Sequence, residues 1–253
     1  MLNFCTLFDS NYMARGLAMY DSLMKHCKDF HLYIFAFDEQ SYQYLKSNAH
    51  QYPQTTAIPL ATFEDPALLS VKPLRTTAEY CWTCTPSTIA YCIKTFQLNH
   101  CTYLDADMLF YSDPSTLINE MKEKSVLISE HRYTREYDQS SYSGIYCVQF
   151  MTFKNTEEGM HVLNWWREKC IEWCYARLED GKFGDQKYLD DWPQRFDSVH
   201  VLQNKGAGIA PWNMQQYDFL SNDTARYLPD GRQCEIVFVH FHGLKFYSND
   251  NLT

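Results

Sequence analysis

Two carboxylates stand one residue apart in Cys101-Thr102-Tyr103-Leu104-Asp105-Ala106-Asp107-Met108-Leu109-Phe110. They follow a short apolar run that reads as a buried strand. In extended backbone, residues i and i+2 point to the same side, so Asp105 and Asp107 aim at one point. Two such anions repel unless a cation lies between them. Paired carboxylate oxygens with coordination positions left open suit Mg²⁺ or Mn²⁺ carrying a phosphate-bearing substrate. Open α/β sheets take ligands beyond the carboxyl ends of their strands, which is where this pair falls. Asp-x-Asp triplets also serve in surface turns and helix caps, so other residues must support the metal reading.

Such residues stand in Val239-His240-Phe241-His242-Gly243-Leu244-Lys245. A histidine ending an apolar strand can add a nitrogen ligand to the same ion, against the commoner structural histidine. His240 and His242 share one strand face, and spacing does not separate them. Lys245 can sit against phosphate charge. A third stretch is Gly184-Asp185-Gln186. Asp185 either caps a helix or accepts hydrogen bonds from sugar hydroxyls, with the neutral Gln186 beside a reacting carbon; spacing leaves both open.

The elements that must position these groups read as α/β. Strands at 3–8, 31–37 and 55–58 alternate with helices at 12–26 and 41–49, which predicts a parallel sheet covered by helices. An irregular segment, 59–80, could fold over a site. A helix over 86–98 places Pro86 in its first turn. Beyond the Asp105/Asp107 strand come a short helix after Asp113-Pro114, a strand at 125–129 and a tyrosine-rich loop, 131–143, read as mobile. A strand at 145–153, a long helix at 157–177, a helix opened by Gly184, a tight Gly/Pro segment at 206–213, a last strand at 236–241 and a polar tail complete the chain. The expectation is one domain over 1–253, with a nucleotide-binding half at about 1–110 and an acceptor-binding half at about 111–253.

The 253 residues can bury a large core. A net charge of −9 argues against nucleic-acid binding and against a polybasic membrane anchor. No secretory signal or transmembrane-length apolar run is visible, so a cytoplasmic location is expected. A peripheral contact at the inner membrane face through exposed aromatics such as Trp192 remains open. The ten cysteines read as buried free thiols. Cys81-Trp82-Thr83-Cys84 lacks the second pair that a structural zinc site needs and the βαβ setting of redox chemistry. The 16% aromatic content suits stacking on bases and sugars, and an ordinary core equally.

Taken together, Phe8-Asp9-Ser10-Asn11-Tyr12, Tyr103-Leu104-Asp105-Ala106-Asp107, Gly184-Asp185-Gln186 and His240-Phe241-His242-Gly243-Leu244-Lys245 resemble the nucleotide-sugar glycosyltransferases of GT-A fold, nearest the retaining family 8 type. The blocks occur in that family's order over nearly the whole chain. The resemblance implies a mostly parallel central sheet flanked by helices. It implies Mn²⁺ or Mg²⁺ on Asp105, Asp107 and His240, and a uridine diphosphate sugar as donor. Phe8, Asp9, Asn11 and Tyr12 would hold the nucleotide, with Ala106, Gly243 and Lys245 against the donor. Asp185 would hold the donor sugar, and Gln186 would lie on the acceptor face of the anomeric carbon. A basic donor contact ahead of the carboxylate pair has Arg75 and Lys94 as candidates. The family's Asn-Ala-Gly strand reads Cys147-Val148-Gln149 here. The implied reaction is transfer to a glycan, lipid-linked or other hydroxyl acceptor, retaining and front-face, with Gln186 too weak a nucleophile for a covalent step. The competing readings are a sugar- or nucleotide-sugar-binding module without turnover, a metal-dependent phosphohydrolase and a structural zinc protein.

Overall fold

The protein is described here by a computed structural model over residues 1–245; the polar tail read from the sequence lies outside them. Its first half alternates strand and helix: β1 (Leu2–Phe8), α1 (Met13–His26), β2 (Phe30–Ala36), α2 (Glu39–Ser47) and β3 (Thr55–Pro59). The short α3 (Leu60–Phe63) and α4 (Pro66–Val71) precede the long α5 (Thr77–Thr95), which leads into β4 (His100–Leu104) and β5 (Met108–Phe110). Then come α6 (Ser115–Asn119), β6 (Val126–Glu130), α7 (Ser140–Ser143), β7 (Tyr146–Lys154) and α8 (Glu157–Glu172). The last elements are α9 (Trp192–Arg195), β8 (Val199–Val201), β9 (Tyr217–Phe219), β10 (Thr224–Tyr227), β11 (Arg232–Glu235) and β12 (Phe238–His240).

Seven strands form the central sheet in the order β3-β2-β1-β4-β7-β6-β8. β7 runs antiparallel to β4 and β6, and the remaining pairings are parallel. The sheet is therefore mixed and mostly parallel, as the alternating β-α pattern predicts. Side-chain alternation along the strands feeds two apolar layers. Phe4, Leu104 and Phe150 pack with Met19 and Leu23 of α1 on one face. Cys5, Tyr103 and Met151 pack with Ile89 of α5 and Trp166 of α8 on the other. Two small sheets, β11-β10-β9 and β12-β5, stand beside the large one.

Several boundaries differ from the sequence reading, each for a physical reason. The helix expected to open at Pro86 starts at Thr77 and carries Pro86 inside it. Thr76 and Glu79 cap it reciprocally, Thr76 Oγ1 accepting from the Glu79 amide at 3.3 Å and Glu79 Oε2 from the Thr76 amide at 2.8 Å. That cap, with most of the helix buried, outweighs the hydrogen bond that proline removes. The segment 59–80 holds α3, α4 and the start of α5, and packs through Arg167–Asp65 on α8. The loop 131–143 is pinned rather than loose: the His131 amide donates to the Ile145 carbonyl at 2.9 Å and the Thr134 amide to the Trp212 carbonyl at 3.1 Å. The helix expected after Gly184 is a single 3-10 turn, Lys187–Leu189. Trp192 is wholly buried, edge-on to Trp166, so it cannot serve as an exposed membrane contact. Among the described residues, no helix is long and apolar enough to cross a membrane.

Candidate active site

Asp105 and Asp107 lie in the sharp turn between β4 and β5, as the strand-end position requires. The Asp105 amide donates to the Gln149 carbonyl at 3.0 Å, which ties the turn to β7. β12 pairs antiparallel with β5, placing His240 opposite Met108. The His240 amide donates to the Ile209 carbonyl at 2.8 Å, and the Phe241 amide to the Asp107 carbonyl at 2.8 Å. Residues from far apart in the chain thus meet on two short backbone ladders. His240 Nε2 lies 3.0 Å from Asp107 Oδ1 and 3.7 Å from Asp105 Oδ2. Asp107, His240 and His242 each offer a ligand atom within 4.8 Å of the others.

The electrostatics of this corner follow from burial. Desolvation pushes the Asp105 carboxyl up to about 7, against the pull of His240. Burial likewise pushes Asp185 up to about 8, with the Asp105 charge adding to it. Burial also opposes ionisation of Asp107, but its hydrogen bond to His240 wins and holds it below the usual carboxylate range. For His240 the desolvation is outweighed by Asp107 and Asp105, and its proton is held more tightly than usual. Buried carboxylates facing an imidazole make a donor set of the kind that holds a divalent cation. The residues present fit Mn²⁺ or Mg²⁺.

A cavity of about 410 Å³ opens in front of this corner. Asp105, Asp185, Gln186, His240 and His242 are among its lining residues, and no lysine or arginine is. Asp185 is only 5% exposed, and its carbonyl accepts from Trp166 Nε1 at 2.8 Å. Gln186 Nε2 donates to the Ser143 carbonyl at 2.7 Å, which leaves its amide oxygen for the cavity. Aromatic rings form much of the remaining wall: Trp82, Phe183, Tyr133 and Trp212.

The other sequence candidates are distributed around this centre. Phe8 is buried under α1, its ring pressed against Gly16 and its carbonyl accepting from the Phe37 amide at 2.9 Å, so its side chain offers nothing to a ligand. The Asp9 carboxylate accepts from the amides of Asn11 and Tyr12 at 3.0 and 3.1 Å and from Asn11 Nδ2 at 3.0 Å, stabilising the start of α1. Tyr12 is exposed, with the Arg15 guanidinium 4.4 Å from its ring centre. Ala106 is buried within the carboxylate turn, and Gly243 and Lys245 are exposed just past His242. Arg15 Nε donates to the Leu244 carbonyl at 3.1 Å, joining that C-terminal turn to α1. Arg75 stacks 3.8 Å over Tyr175 and donates to the Ile171 carbonyl, and it does not line the cavity. Lys94 is exposed in the last turn of α5. No residue of segment 59–80 lines the cavity.

Sequence reasoning missed His131, Tyr133, Trp212 and Gln149. Trp212 Nε1 donates to the His131 carbonyl at 2.9 Å, and the Trp212 ring meets both His240 and His242 edge-on. The signal available was the tight segment 206–213, whose turn holds that ring in place. All ten cysteines are free.

No protein-family model matches the chain. It is 31% identical over 248 residues to the uncharacterized protein YfnD of Bacillus subtilis (strain 168), covering 95% of this chain and 77% of that protein. It is also 31% identical to YfnF of the same organism over 253 residues, covering 97% and 82%. Among solved structures, the galactosyltransferase LgtC in complex with donor and acceptor sugar analogs superimposes with a TM-score of 0.60 at 14% identity, over 96% of this chain and 87% of that one. Mouse xyloside xylosyltransferase 1 gives 0.59 at 12% identity, over 96% and 98%. The bifunctional glycosyltransferase WbbM gives 0.58 at 11% identity, over 96% of this chain and 46% of that one. At these identities the likeness is one of fold, and the fold is GT-A.

Proposed function

We infer a sugar-transfer function from one premise: this chain belongs to the family of the Bacillus subtilis proteins YfnD and YfnF, and its fold is that of GT-A glycosyltransferases. The proposed reaction moves a sugar from a nucleoside diphosphate, uridine diphosphate by resemblance, to a hydroxyl of a glycan or lipid-linked acceptor. One observation carries the reading: His240 Nε2 stands 3.0 Å from Asp107 and 3.7 Å from Asp105 at the edge of the cavity that Asp185 and Gln186 also line. Asp105, Asp107 and His240, with His242 adjacent, would hold Mn²⁺ or Mg²⁺. That ion, when bound, supplies Lewis-acid neutralisation of the departing diphosphate.

The chain's own residues account for the rest. Tyr12 offers an exposed ring on which the base stacks, beside the turn that Asp9 and Asn11 build. Lys245 brings a positive charge to the diphosphate from the turn that Arg15 anchors. Asp185, its carboxyl raised by burial, can accept from or donate to a sugar hydroxyl near neutral pH. Gln186 presents its amide oxygen to the reacting face while Ser143 holds the nitrogen. An amide is a poor nucleophile, which favours front-face transfer with retention. The anomeric C–O bond to the diphosphate breaks, the acceptor oxygen bonds to the same carbon, and its proton passes to the leaving phosphate oxygen. The aromatic wall excludes water that would hydrolyse the donor.

Asp107→Asn keeps the size of the side chain and removes its charge. It is expected to cut transfer by at least about 100-fold, the scale of a lost metal-site contact, with an unchanged circular dichroism spectrum. Full turnover of a uridine diphosphate sugar in the presence of chelator would sink the scheme.

A further inference from the structure

Gln149 sits on β7 with no exposed surface, and it touches two of the three metal-holding residues at once. Its backbone carbonyl receives the Asp105 amide at 3.0 Å. Its side-chain Oε1 lies 2.9 Å from His240 Nδ1, and its Nε2 donates to Ser129 Oγ on β6 at 3.2 Å. A carboxamide oxygen only accepts, so the hydrogen in the contact with His240 belongs to Nδ1. Nδ1 is thereby engaged, and the ring nitrogen left to meet an ion, once the hydrogen it shares with Asp107 is released, is Nε2, which faces Asp107 and Asp105.

The surroundings keep the amide in this orientation. Gly208, with φ +71°, passes so close that a Cβ there would meet Gln149 Nε2 at 2.7 Å. The Gly208 carbonyl is itself held by Asn213 Nδ2 at 2.9 Å. Gln149 therefore sits wedged between β6 and the 206–213 segment, with a donor group on one side and an acceptor on the other.

We propose that Gln149 is a positioning residue for the metal site: it fixes His240 with Nδ1 protonated and Nε2 directed at the carboxylates, while its backbone fixes Asp105. This rests on the metal-holding reading above and adds to it a residue outside the ligand set. Outer partners that orient a ligating imidazole are typically worth about 10–100-fold in metal affinity.

Gln149→Leu removes the acceptor at nearly constant size, and Gln149→Glu restores one. Free Mn²⁺ measured by electron paramagnetic resonance gives the dissociation constant of each protein without any transfer assay. The expected result is a rise of about 10–100-fold for Gln149→Leu and recovery of most of the affinity in Gln149→Glu. Equal affinity in Gln149→Leu and the unsubstituted protein overturns the proposal, as does a Gln149→Glu protein as weak as Gln149→Leu. Should Gln149→Leu fail to fold, nitrogen-15 spectra of histidine in the unsubstituted, metal-free protein decide. A proton on His240 Nδ1 supports the proposal, and a bare Nδ1 with the proton on Nε2 alone overturns it. If the unsubstituted protein takes up no Mn²⁺, the metal reading itself falls, an outcome separate from any difference between the variants.

Discussion

Gly208 has a left-handed backbone and no room for a methyl group, because Gln149 fills the space beside it. Gly208→Ala is expected to lower stability by about 1–3 kcal/mol, the combined cost of strain and overpacking. Chemical denaturation would measure that loss, and weaker Mn²⁺ binding should accompany it as Gln149 is displaced. Asp38 gives a cleaner electrostatic prediction. Burial alone would raise its pKa, but Ser10, through its amide and hydroxyl, and Ser41, through its amide, donate to the carboxylate and hold it at about 2. A carboxylate depressed on folding stabilises the protein fully above its ordinary value of 3.8 and ceases to do so as the pH falls to about 2. Asp38→Ala should therefore cost about 1 kcal/mol near neutrality, through loss of the α2 cap, and the gap to the unsubstituted protein should close between about pH 4 and 2. Denaturant midpoints across that range test the sign. At this scale the sequence pointed to the proposed ligands better than to their supports. Asp105 and His240 announce themselves at the ends of apolar strands, and Asp107 by its spacing from Asp105. Gln149 and Trp212 act across strands, and a contact between β7 and β12 has no signature in local spacing.

Among the elements, α5 matters most for the cavity because it carries Trp82 and Thr85 to the wall. Its start depends on Thr76 and Glu79, and Glu79 does two jobs. Glu79 Oε2 accepts from Thr76, while Oε1 accepts from the Ala176 amide at 2.9 Å, tethering the segment that follows α8. Thr76→Ala should cost about 1 kcal/mol, and Glu79→Ala more, since it releases the tether as well. Thermal unfolding of the two variants checks the order, and a rise in KM larger for Glu79→Ala would tie the tether to the cavity. The opening β-α-β-α-β pattern was legible from periodicity alone. The capping box of α5, Thr76-x-x-Glu79, went unread, and a start taken from Pro86 fell nine residues too late. The β9–β11 sheet was not legible: its strands are three or four residues long and largely exposed, too short for alternation to register.

For the molecule as a whole, the donor-binding reading has a thermal consequence. A ligand at a hundred times its dissociation constant adds about 2.7 kcal/mol to the folded state. For a chain of this size that corresponds to about 5–10 °C in Tm. Uridine diphosphate with Mn²⁺ should produce such a shift, and chelator should abolish it; a shift indifferent to chelator would separate nucleotide binding from the metal. The architecture also links core packing to the proposed metal site. β12 has only three paired residues, and Phe238 sets their alignment by lying against Phe110 and stacking on Phe150 with ring centres 5.5 Å apart. If that anchor were trimmed and the short ribbon crept along by a single step, every side chain on it would turn over. Val239 or Phe241 would then face the acids in place of the imidazole. Damage to an aromatic packing contact would thus look, by activity alone, like the loss of a ligand.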